Sequence, residues 1–147
     1  MLITGRLVAL AALGTVLAWA STAVALWYAA ALALLFAVDI LLAGRLSAIR
    51  IVREPSTPVR LGQQTPAELA LTSTGRRPLH GLVRDAWVPS AGIAPRAQPI
   101  VLPAGARATV TSTLTPTRRG ERAAVEVTLR SYGPVGVAAR QRRVAVP

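Results

Sequence analysis

The chain has 147 residues, 52% of them hydrophobic, a formal net charge of +11 and no cysteine. The missing cysteines exclude a disulfide framework and any thiolate metal site. One histidine and six scattered acidic residues leave too little material for paired-carboxylate catalysis or an oxygen-liganded calcium site.

Residues 7–42 form an apolar run whose only charged side chain is Asp39. A hydrocarbon core roughly 30 Å thick takes about 20 apolar residues to cross as a helix. Thirty-six residues in one rod would extend roughly 54 Å, too far for a single crossing. The run therefore predicts a hairpin of two transmembrane helices within residues 1–46. Trp19, Trp27 and Tyr28 surround Ser21 and Thr22 at its middle. Such rings favour the headgroup level, so they read as an aromatic belt at the far interface, with spans at 2–20 and 24–43.

Arg6 precedes the first span, Arg45, Arg50 and Arg53 follow the second, and the turn is uncharged. The positive-inside rule then places both termini and everything after the hairpin in the cytoplasm, a multi-pass arrangement at the plasma membrane. A competing reading makes residues 1–20 a cleavable signal peptide ending at Ala18-Trp19-Ala20. Ala25, Ala29, Ala33 and Ala37 recur every four residues, a spacing that lets helix backbones approach, with Gly14 and Ala18 as facing residues. A carboxylate inside a span is by default a functional candidate. Asp39 lies two turns from Arg45, so an interfacial ion pair with Arg45 or Arg6 is expected.

Residues 47–147 change texture. Short alternating runs at 68–73, 79–88, 99–102, 108–114, 124–130 and 137–146 are separated by Pro and Gly, and 49–52 or 59–61 supplies one more. About seven short strands with regular turn signals predict a small antiparallel β-sandwich of immunoglobulin-like type. Trp87 is its candidate core aromatic.

Every one of the seventeen basic residues is Arg. Fourteen of them face five acids in 51–147, a balance of +9 that reads first as solubility charge and next as attraction of a tethered domain toward anionic lipid. The arginines are scattered and no aromatic platform interleaves them, which argues against nucleic acid as a partner. Arg118, Arg119 and Arg122 form a charged turn, a candidate surface for anionic lipid or a protein partner. His80 and Asp85 stand near each other in sequence, yet no nucleophile motif, H-E-x-x-H or phosphate loop accompanies them. No catalytic residue, cofactor, metal site or small-molecule substrate is expected.

Thr4-Gly5-Arg6-Leu7 leads into the apolar run, Thr115-Pro116-Thr117-Arg118-Arg119-Gly120 follows a strand, and Arg130-Ser131-Tyr132-Gly133-Pro134-Val135-Gly136-Val137 precedes Ala139-Arg140. In this combination the chain resembles the bacterial family called domain of unknown function 58. That resemblance implies a membrane hairpin, a β-sandwich and then a von Willebrand A-like domain, in proteins associated with MoxR-type AAA+ ATPases. The sequence holds no Asp-x-Ser-x-Ser stretch of the kind such a domain uses to bind a cation. The expectation is a non-enzymatic, membrane-anchored module that scaffolds or presents protein partners at the cytoplasmic face. An AAA+ ATPase or a separately encoded von Willebrand A-like protein are the partners implied. The alternatives are a lipid-surface binding module and a truncated remnant.

Overall fold

The computed structural model describes residues 2–55, 57–121 and 123–146. A two-residue strand, β1 (Leu2–Ile3), precedes two helices, α1 (Gly5–Ala20) and α2 (Thr22–Leu42). Seven strands follow: β2 (Ile49–Arg53), β3 (Thr65–Ser73), β4 (Leu79–Trp87), β5 (Gln98–Leu102), β6 (Arg107–Leu114), β7 (Ala124–Tyr132) and β8 (Ala138–Val144).

The helices overturn the two-span hairpin. Residues 2–3, assigned above to a first span, pair with Ala138 and Ala139 at the edge of a sheet. Thr4 is likewise held by the sandwich, its hydroxyl donating to the carbonyls of Gly136 and Val137. What remains for α1 is 16 residues, about 24 Å of helix, short of the hydrocarbon thickness. α2 has 21 residues, about 32 Å. Among the described residues it is the one helix long and apolar enough to cross a membrane, as an anchor or a signal sequence. A multi-pass topology is not supported.

The break between the helices is a single residue. Ser21 has extended backbone (φ −166°, ψ 130°); its N–H closes α1 onto Leu17 and its carbonyl accepts the first bond of α2 from Ala25. Neither Gly nor Pro is needed there, because one extended residue suffices to reverse the chain.

α1 packs along α2 through a seam of half-buried residues: Leu7, Leu10, Gly14 and Leu17 on one helix, Ala25, Tyr28, Leu32 and Leu35 on the other. The steps of three and four are those of knobs-into-holes packing. Ala29, Ala33 and Ala37 of the expected alanine ladder are exposed instead. Tyr28 holds the seam: its hydroxyl donates to the Leu10 carbonyl at 2.7 Å, and its ring lies where a Cβ on Gly14 would fall, 2.9 Å away.

The strands form two antiparallel sheets, β1-β8-β7-β4-β5 and β2-β3-β6. The chain changes sheet after β1, β3, β5 and β6, so β4 comes to lie between β5 and β7 with β8 beyond β7, an order compatible with an immunoglobulin-like sandwich. Alternation along each strand supplies one inward face. Leu69, Leu71, Leu79, Val83, Leu102, Val127 and Leu129 are fully buried between the sheets.

Register also fixes which end of the sandwich meets the helices. Ser73, at the C-terminal end of β3, pairs with Ile49, seven residues after α2 ends, and the opposite end of β3, Thr65, pairs with Leu114. Nine residues of strand separate these ends by roughly 30 Å. The molecule therefore has a helix-proximal pole and a distal pole.

Candidate functional site

At the proximal pole the last turn of α2 meets the β7–β8 connection. Gly133 to Gly136 forms a tight turn closed by Gly136 N–H on the Gly133 carbonyl (3.1 Å), with Gly136 in the left-handed region (φ +76°). That path aims three backbone N–H groups inward. Val135 donates to Asp39 Oδ1, and Val137 and Ala138 donate to Asp39 Oδ2, each at 2.8 Å. Asp39 is 0% exposed. Successive amides curled around an anion in this way form a nest, and the hydrogen bonds offset the cost of burying the charge.

The carbonyls of the same turn serve the other helix. Arg6 Nη1 donates to Val135 O at 3.0 Å, and Thr4 Oγ1 donates to Gly136 O and Val137 O at 2.8 and 2.9 Å. One turn thus grips the start of α1 through its acceptors and the end of α2 through its donors. This corrects the expected ion pair: Asp39 binds backbone amides, and neither Arg6 nor Arg45 is its partner. Arg6 belongs to the same joint, whereas Arg45 is exposed.

Gly133 is required at the joint because a Cβ there would overlap the Asp39 carboxylate. Gly133→Ala is expected to displace Asp39 and destabilise the joint, at about 1–3 kcal/mol for each buried donor left unsatisfied. Gly5→Ala, with nothing within 4 Å of the added carbon, serves as the control. Thermal melting of the full chain in detergent separates the two; equal midpoints would refute the contact.

Arginines close the other side of the helix end. Arg140 Nη2 donates to Ile40 O at 2.9 Å, Arg77 donates to Leu41 O, and Arg142 Nη1 donates to Leu46 O at 2.9 Å. Arg140 and Arg77 satisfy carbonyls that the last turn of α2 leaves unpaired and place positive charge at its negative end, while Arg142 holds the segment that follows it. Arg77, Arg140, Arg45 and Arg76 line a pocket of about 660 Å³ beside Leu41 and Gly44.

The aromatic residues divide. Trp19 and Trp27 are 96% and 79% exposed on either side of Ser21, whereas Tyr28 faces α1. At the opposite pole, Arg118 and Arg119 are exposed and line a cleft of about 870 Å³ with Pro116, Trp87 and Leu114. Arg122, the third member of that expected surface, lies outside the described residues.

Beneath this cleft a buried ion pair ties the two sheets together. Arg53 of β2 makes two parallel hydrogen bonds of 2.8 Å to Asp85 of β4, and the side chains are 9% and 3% exposed. Trp87 Nε1 donates to Asp85 Oδ2 at 2.7 Å, and its ring lies 4.7 Å from the Arg53 guanidinium carbon. Trp87 is therefore half-buried beside the cleft and joined to a charge. His80 lies an odd number of residues from Asp85 along β4, hence on the opposite face, and is exposed. Among the described residues no three of His, Cys, Asp and Glu converge as a metal site would require.

No protein-family model matches the chain, and no curated protein matches it in sequence. The family resemblance rests on the motifs quoted above. Two of those motifs, Thr4–Leu7 and Arg130–Val137, meet around Asp39, and the third borders the distal cleft. The amide nest and the arginines at 77, 140 and 142 are the functional groups that sequence reasoning missed. The glycines of Gly133-Pro134-Val135-Gly136 were the available signal, since such turns present amides to anions.

Proposed function

We propose that this chain is a membrane-anchored, non-enzymatic β-sandwich module that presents protein partners at the cytoplasmic face of a bacterial plasma membrane. The observation that carries the reading is the hydrogen-bonded joint between an apolar helix and a folded domain. α2 is apolar around its circumference, and its buried residues are confined to Asp39 and Ile40 at the sandwich end. Leu26, Trp27, Leu34 and Leu41 stand exposed along it, more apolar surface than a water-soluble domain leaves uncovered. A flexible tether would suffice for simple localisation. A carboxylate locked into the sandwich by three amides instead fixes how the domain stands on the anchor, which matters when a partner must be met in one orientation.

The distal cleft is the surface proposed for that partner. It lies a strand's length from the end of α2, and it combines Trp87 and Leu114 with Arg118 and Arg119, the mixture of aromatic and Arg common at interfaces. Its distance from the helix end favours a protein over lipid as its occupant. Resemblance to the domain of unknown function 58 family makes a MoxR-type AAA+ ATPase, or a von Willebrand A-like protein, the partner to look for.

Affinity recovery from detergent-solubilised membranes tests the proposal. The wild-type chain is expected to retain a reproducible partner that Arg118→Ala/Arg119→Ala loses while circular dichroism shows its sandwich still folded. Recovery of no reproducible partner would sink the scaffold reading. Orientation is tested by a reporter fused after Val146, which should be active only in its cytoplasmic form, since Arg45, Arg50 and Arg53 follow α2.

A further inference from the structure

We propose that the arginine pocket at the proximal pole binds the phosphate headgroup of an anionic phospholipid whose acyl chain lies along α2. The inference rests on the membrane-anchored reading and adds a site to it.

Charge is the first support. Arg45, Arg76, Arg77 and Arg140 line the pocket of about 660 Å³, and none of its lining residues is acidic. Asp39, two residues before the lining Leu41, is buried, with both oxygens taken by backbone amides. Arg77 and Arg140 each spend a donor on a helix carbonyl. Arg45 and Arg76 are exposed, and among the described residues neither guanidinium has a hydrogen-bond or carboxylate partner. A guanidinium offers paired donors that match the oxygens of a phosphodiester.

Position is the second. Leu41 belongs to the pocket wall and is also the last member of an exposed stripe, Leu34, Val38 and Leu41, spaced by four and three along α2. Residues at that spacing share one helix face. The stripe gives an apolar track that ends at a cluster of unneutralised cations, which is the layout of an acyl chain joined to an anionic headgroup. The same height on the molecule is where the apolar helix gives way to the polar end of the sandwich, so the pocket stands at headgroup level. A soluble phosphate compound would use the arginines and leave the track empty.

Native mass spectrometry of the full-length chain in a non-ionic detergent tests this, with phosphatidylglycerol, phosphatidylcholine of the same acyl chains, and glycerol phosphate as probes. Phosphatidylglycerol is expected to be retained in preference to phosphatidylcholine, with glycerol phosphate failing to displace it. Arg45→Gln/Arg76→Gln, which removes no described contact, should lower that retention roughly tenfold or more, given the contribution of about 1 kcal/mol for each surface arginine. Arg118→Gln/Arg119→Gln removes the same charge at the distal pole and should change retention less than about twofold. Equal loss in both double variants, equal retention of the two lipids, or displacement by glycerol phosphate would each overturn the lipid site. Extraction of the wild-type chain from membranes by alkaline carbonate without detergent would instead defeat the membrane anchor itself, so the two failures are distinguishable.

Discussion

Asp39→Ala is expected to cost the folded protein several kcal/mol and to detach the sandwich from its helix. The substitution leaves the N–H groups of Val135, Val137 and Ala138 facing a void, and each buried donor without a partner costs about 1–3 kcal/mol. The sum is a large share of the roughly 5–15 kcal/mol by which a domain is stable. Asp39→Asn is the informative companion. Its amide keeps one acceptor oxygen but turns an NH₂ toward at least one of the three donors, so it should lie between wild type and alanine. Hydrogen exchange at residues 135, 137 and 138 reads the effect directly. In the wild type these amides should be protected as strongly as the core of β7, and in Asp39→Ala they should exchange at rates of an open loop. Unchanged protection would mean that the carboxylate does not hold the turn.

Asp85→Ala should destabilise the sandwich by about 3–5 kcal/mol, because it strands Arg53 as an unpaired charge between two sheets. The ion pair itself contributes far less than that figure. Arg53→Met/Asp85→Leu, which removes both charges and keeps the volume apolar, is therefore expected to recover most of the loss. A residual of about 1 kcal/mol remains for the Trp87 Nε1–H that no longer has an acceptor. Chemical denaturation of the three proteins in detergent distinguishes the cases. If the double variant were no more stable than Asp85→Ala, the pair would be contributing net stability, contrary to this expectation.

Much of the sandwich was legible because its strands announce themselves locally. Ala124 to Arg130 alternates without interruption, and Pro or Gly closes most runs where a ladder would lose a donor or a side chain. The choice between 49–52 and 59–61 resolved in favour of β2, whose Ile49 and Ile51 pack against the core while residues 59–61 border the distal cleft. β1 was invisible, since Leu2 and Ile3 continue an apolar run and nothing local separates a strand edge from the start of a span.

The helices were misread for the same reason. Apolar length alone does not reveal that residues 2–4 are claimed by the sandwich. Asp39 was recognisable as a residue needing a partner, and Arg6 as one of its neighbours in space. The search for an opposite charge pointed to the wrong group, because backbone amides carry no mark in a sequence. The alanine ladder holds in part: Ala25 and the facing Gly14 lie in the seam, but Ala29, Ala33 and Ala37 do not, because a spacing of four defines a face without saying what that face meets.

The joint has a consequence in time. Asp39 and its three amides are separated by 96 to 99 residues of chain, and Thr4 from its acceptors by 132 and 133. At roughly 5–20 residues per second of synthesis, the carboxylate waits about 5–20 s for the turn that receives it. Through that interval the acid at the end of α2 has no amides to bind. With α2 as the proposed anchor, insertion would come early and docking last, so that nascent chains stalled before residue 138 should be membrane-integrated yet digested by protease beyond Leu42, and only longer ones should resist.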